Sequence, residues 1–106
     1  MEFTDYLEQL NNDFGKFLVQ KYSKRTAYKH TVIVSYFIDF APFNFGITEI
    51  KQITKSMYNS KFWSWHQNKI GDYSKDEVKV AMKKFALFLE QEKDISHLAN
   101  FVRNKK

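Results

Sequence analysis

At 106 residues the chain holds one domain, and its 43% hydrophobic content, with 11 Phe, excludes intrinsic disorder and predicts an aromatic core. Three Gly and one Pro are too few for the tight turns of a β-sandwich or barrel, and the absence of Cys excludes disulfides, thiolate catalysis and Cys-based zinc sites. Lys and Arg number 17 against 12 Asp and Glu, leaving a net charge of +5 that favours polyanionic partners.

These totals predict an all-α fold, a four-to-five-helix orthogonal bundle formed by residues 1–106 as a single domain. Phe3, Leu7, Leu10, Phe14 and Phe17 recur at steps of four and three, the spacing of one helical face, and predict a first helix from Asp5 to Lys21 with Thr4 as its N-cap. Ser23 can cap a second helix, whose apolar Ala27, Val34, Phe37, Ile38 and Ala41 lead into Pro42. The residue before a proline is pushed out of helical geometry, so this helix is expected to end near Phe40 or Ala41. Pro42 to Ile53 then reads as a connection whose Phe43, Phe45, Ile47 and Ile50 pack over the bundle end.

Thr54 offers an N-cap for a third helix that carries Met57, Tyr58, Phe62 and Trp65 on one face and runs to Lys69, with Gly71 as its stop. Ser74-Lys75-Asp76-Glu77 is an S-x-x-E capping box, and it opens a fourth helix with a clean apolar stripe of Val78, Ala81, Met82, Phe85, Phe88 and Leu89. A last short helix follows Ser96 and uses Leu98, Phe101 and Val102; residues 103–106 read as a disordered tail.

The cations fall into two groups. Lys75, Lys79 and Lys83 recur every four residues and form a ridge beside the apolar stripe of the Ser74 helix, which Lys84 widens. Lys21, Lys24, Arg25 and Lys29 crowd the start of the Ser23 helix, with Thr26 and Tyr28 between them as hydrogen-bond donors. Long cationic side chains solvate the rim of any helical core. Here, however, both groups open helices, where free backbone amides suit phosphate oxygens, and these ten residues are the candidate DNA-binding set.

Trp63 and Trp65 lie about 200° apart on one helix, so one of them should be partly exposed. Trp63 with Phe43 and Phe45 forms the alternative site, a contact surface for a protein partner in an interaction module whose positive charge is incidental. His30, His66 and His97 are scattered, without a pair at i, i+4, and read as surface or rim histidines. With no glycine-rich phosphate loop and no paired carboxylates, no catalytic residue, metal or cofactor is expected. Glu2, Asp5 and Glu8 near the start do not fit an export signal, and no apolar run approaches the roughly 20 residues of a membrane span, which points to a cytoplasmic protein without a membrane partner.

The order of these motifs resembles the N-terminal core-binding, SAM-like domain of tyrosine recombinases and phage integrases. Thr26 to His30 begin a helix that Phe37 to Phe40 end; Gln52-Ile53-Thr54 sits where that family has a short "dIt" element; Phe62 and Trp65 follow. Ser74 to Glu77 open the last long helix and Phe85-Ala86-Leu87-Phe88-Leu89 close it, so the likeness covers about Phe14 to Ile95. It implies two crossed helix pairs forming one arm of a clamp on double-stranded DNA, with the Ser23 and Ser74 helices across the major groove and Lys24, Arg25 and Lys29 on phosphates. The family's chemistry belongs to a second domain with an Arg, a His-x-x-Arg and a Tyr nucleophile. The chain ends before such a domain could begin, and His97 is not followed by Arg at the required step. A non-enzymatic protein is therefore expected: an excised domain partnered by a recombinase catalytic domain or chain, or a stand-alone relative that binds without cutting.

Overall fold

The computed structural model describes residues 2–103, so most of the expected tail, residues 104–106, lies outside the described residues. Leu7, Leu10, Asn11, Phe14 and Leu18 share the buried face of α1 (Phe3–Leu18). The helix starts two residues earlier than its Thr4 suggested. Glu2 is the N-cap, because the carbonyl of Glu2 accepts from the Tyr6 N–H at 3.0 Å and draws Phe3 into the first turn, where it packs on the core.

Ser23 caps α2 (Lys24–Phe45), accepting from the Thr26 N–H at 3.1 Å. This helix does not stop at Phe40 or Ala41. It passes through Pro42 to Phe45 and ends on Gly46, whose φ of 63° is the left-handed geometry that a residue lacking Cβ adopts without strain. A proline inside a helix costs about 3 kcal/mol through its missing N–H and its clash with the preceding turn. What the continued helix gains lies beyond Pro42: the Phe45 ring packs edge-on to Phe40 at 5.5 Å, and the Asn44 amide donates to the Phe40 carbonyl at 2.7 Å.

Beyond Gly46 the connection is shorter and more ordered than a loop. A 3₁₀ turn covers Ile50–Gln52, and the Gln52 side-chain carbonyl accepts from the Thr48 and Glu49 N–H groups at 2.6 and 3.1 Å. Ile47 is buried and Phe45 and Ile50 pack on the core, but Phe43 stands 88% exposed instead of covering the bundle end.

The third expected helix is broken in two. Thr54 caps α3 (Lys55–Tyr58), and α4 (Ser60–Lys69) follows after Asn59, whose backbone sits at φ −109° and ψ −98°. The break is held from outside, since the Asn59 amide donates to the Phe101 carbonyl at 3.2 Å. It lets Tyr58 turn fully inward and donate to the Met82 carbonyl at 2.6 Å. Gly71, at φ 70°, ends the α4 unit as expected.

The capping box holds as read. Ser74 Oγ accepts from the Glu77 N–H at 3.1 Å, Glu77 Oε1 accepts from the Ser74 N–H at 3.0 Å, and α5 runs Lys75–Lys93. A short α6 (Ala99–Val102) closes the chain over Tyr58. Arg103, expected in the tail, pairs with Glu90 of α5.

The result is an all-helical bundle, without strands among the described residues, built on α2. Helices α1, α4 and α5 all pack on it. Against α1 the approach is close: a Cβ on Gly15 would meet Thr31 Cγ2 at 3.1 Å, and the buried Asn11 amide donates to the Thr31 carbonyl at 3.0 Å. Phe37 lies at the centre, its ring edge-on to Tyr58 at 5.1 Å and to Phe62 at 5.3 Å. No helix among the described residues is long and apolar enough to cross a membrane.

Two phenylalanines on α2 measure this arrangement. Phe37→Ala should destabilise the fold by about 3–5 kcal/mol and Phe43→Ala by less than about 0.5 kcal/mol, read from urea denaturation at low protein concentration. Equal losses would mean that α2 is not buried as described.

Candidate nucleic-acid interface

Three contacts fix how the two cation-bearing helices meet. The Tyr36 hydroxyl donates to Asp72 Oδ2 at 2.6 Å just ahead of α5; Lys29 pairs with Glu77 Oε2 at 3.1 Å in its first turn; and the Lys84 ammonium sits 4.0 Å from the Tyr22 ring, just ahead of α2. Partners climb along α5 as they descend along α2, so the helices run antiparallel. Their N-termini consequently lie at opposite ends of the shared seam.

This seam redistributes the ten sequence-derived residues. Lys21, Lys24, Arg25 and Tyr28 are exposed around the start of α2, Thr26 is half-buried beside its cap, and Lys84 joins them from α5. Lys75, Lys79 and Lys83 are exposed along the other edge of α5. Lys29 differs from the rest: its charge is met by Glu77, the residue that also closes the capping box. The Glu77 carboxyl is accordingly held below the usual carboxylate range, by the Ser74 backbone amide first and the Lys29 ammonium next.

Trp63 marks the far edge of the ridge. Lys79 and Lys75 lie over its ring at 4.6 and 5.6 Å from the centroid, and its buried Nε1 donor has no protein partner. Both tryptophans are half-buried, with Trp65 packed on Phe40 at 5.1 Å. The alternative trio is not brought onto one surface. Trp63 borders a groove of about 280 Å³ with Lys75, whereas Phe43 borders one of about 760 Å³ with Trp65. Phe45 lies between them, against Phe40 and under Lys61.

Two histidines were expected at the surface or rim and are buried instead. His66 is fully enclosed, with Nε2 2.9 Å from Asp72 Oδ1 and Nδ1 3.0 Å from the Gln67 amide. The Gln67 N–H donates to Nδ1, so Nε2 carries the proton that Asp72 accepts. Asp72 thereby ties the turn before α5 to both α4 and α2, and its hydrogen bond pushes the Tyr36 hydroxyl up to about 12. Both ring nitrogens of His66 are occupied, and the side chain braces α4 against the turn before α5. Sequence spacing could not reveal it, because Tyr36 and Asp72 come from separate elements.

His30, 3% exposed, lies in the seam with Nε2 3.4 Å from the Lys84 ammonium. Burial, then the Lys84 and Lys29 charges, lower its pKa to about 4, only partly opposed by Glu77. Neutral His30 Nε2 is therefore the acceptor that lets Lys84 rest against the start of α2. Comparison with known protein families, characterised proteins and solved structures finds no match.

The shift has a defined pH signature. An unfolded histidine binds its proton near pH 6.5, whereas folded His30 resists it down to about 4. Stability from this group is present above pH 6.5 and is lost as pH falls toward 4. Between pH 7 and 5 the loss should be about 1–2 kcal/mol in urea titrations and should largely vanish in His30→Gln. An unchanged pH dependence in that variant would remove His30 from the seam's electrostatics.

Proposed function

We propose that the domain binds double-stranded DNA, mainly through phosphate contacts, in the manner of the recombinase core-binding domains whose motif order it resembles. The observation that carries this reading is the one-sided charge of the α2–α5 surface. Phe14 to Ile38 contains no Asp or Glu, nor does Val78 to Leu89; the acids cluster at the start of α5, where Glu77 is paired with Lys29, Asp72 is bonded to Tyr36 and His66, and Asp76 is exposed. Lys21, Lys24, Arg25, Lys79 and Lys83 are left exposed without ion-pair partners among the described residues, and half-buried Lys84, also unpaired, borders them against Tyr22.

The spacing suits the ligand. Lys75 to Lys84 spans nine residues, about 14 Å along the α5 axis, which is comparable to the roughly 12 Å width of the major groove. Cations at the two ends can thus meet phosphates on either side of it. The amides at the start of α2 and the Tyr28 and Thr26 hydroxyls add neutral donors. In this reading Lys29 is a positioning residue: it fixes α5 against α2, and the remaining cations make the contacts. A DNA ligand also agrees with a cytoplasmic setting, and catalysis, where it occurs, would come from another domain or chain.

Binding to a labelled duplex of about 20 base pairs, followed by fluorescence anisotropy, should give a dissociation constant of about 10⁻⁴–10⁻⁶ M at physiological salt, with log K falling against log salt at a slope of about −3 to −6. Changing Lys75, Lys79 and Lys83 together to Glu should weaken binding at least about tenfold and flatten that slope by about three. Undiminished binding in the triple variant would reject the α5 assignment. No binding at low salt would reject DNA as the partner.

A further inference from the structure

The end of α2 remote from the cations carries an apolar group that the fold leaves uncovered. Phe43 is 88% exposed although the helix around it is rigidly held: Pro42 precedes it, Asn44 is tied to Phe40, and Gly46 ends the helix two residues after Asn44. Beside it opens the groove of about 760 Å³, with Ile38, Pro42 and Trp65 as apolar walls and Asp39 and Lys69 at its polar edges. Neither Asp39 nor Lys69 has an ion-pair partner among the described residues.

We propose that this surface pairs with a second copy of the chain. A two-fold interface requires one patch to complement itself, so that each feature meets its counterpart across the axis. This patch holds both halves of the match. The projecting Phe43 ring adjoins a groove that can receive the same ring from a neighbour, and Asp39 and Lys69 border that groove with opposite charges. Rotation about a two-fold axis brings Asp39 of each copy toward Lys69 of the other.

The location leaves the DNA-facing cations open. Phe43 is 18 residues beyond Arg25, about 27 Å along α2, so two paired copies present two basic surfaces instead of hiding them. Pairing does not depend on the DNA reading. One ring and one groove are a smaller contact than the roughly 800 Å² per partner of a standard stable interface, so association is weak and needs high concentration to be seen.

Sedimentation equilibrium of the full chain, raised to about 1 mM at physiological salt, should show the weight-average mass climbing from 12.7 kDa toward twice that value. Phe43→Ser should hold it at the monomer mass with an unchanged circular dichroism spectrum, since the side chain supports nothing in the fold. Lys69→Glu alone should weaken association at least about tenfold, and Asp39→Lys combined with Lys69→Glu should restore it, because a two-fold pair regains both contacts when the charges are exchanged. A parent chain that stays monomeric at about 1 mM overturns the proposal. So does a Phe43→Ser variant that associates like the parent, or a double charge exchange that fails to restore association.

Discussion

Burial of one helix against three others at once governs the molecule. From Ala27 to Ala41, α2 buries Ile33, Val34, Phe37, Ile38 and Phe40 as well as His30, and at 3.6 residues per turn these positions form one broad face, an arc of about 160°. A face that broad needs more than one neighbour to cover it. α1, α4 and α5 share that cover, and the cations of α2 lie in its first turns, ahead of most of the buried stretch. The separation of charge from core in the sequence is thus a consequence of where α2 runs, and so is the survival of the helix through Pro42.

The seam between α2 and α5 converts that packing into a defined surface. Because the helices are antiparallel, Glu77 meets Lys29 near the start of α5 while Lys84 reaches Tyr22 near the start of α2. One acidic residue serves three ends: it completes the cap of α5, holds Lys29 and tempers the positive field around His30. An exposed ion pair of this kind is worth little by itself. Its effect lies in register, since it sets which lysines face solvent together. Asp72, just ahead of α5, has an equivalent part, joining Tyr36 to His66.

Much of this was legible in the sequence wherever the signal was local. Ser23, Thr54 and Ser74 act as the caps their chemistry suggests, Gly71 ends the unit it follows, and the apolar stripe of α5 is buried as its periodicity requires. The departures all come from contacts between distant residues. Pro42 was read as a stop because local geometry disfavours helix before it, yet the helix continues and brings Phe45 against Phe40. Asn59 broke a helix that looked continuous, since its partner Phe101 is 42 residues away. His30 and His66 looked peripheral by spacing, and Lys29 looked like one lysine among several until Glu77 arrived from α5. In the candidate site, the membership of the two clusters was readable, but their antiparallel placement and the isolation of Phe43 from Trp63 were not.

The claim on which the functional account rests is that charge on the α2–α5 surface, and not the apolar far end of α2, meets the nucleic acid. Amide chemical-shift mapping during titration with a short duplex at low salt tests it directly. The account predicts shifts concentrated at Lys21 to Tyr28 and at Lys75 to Lys84, with Asp39 to Phe45 and Glu90 to Asp94 unmoved. Shifts centred on Phe43, Trp65 and Lys69, or scattered without preference for the two basic stretches, would contradict it.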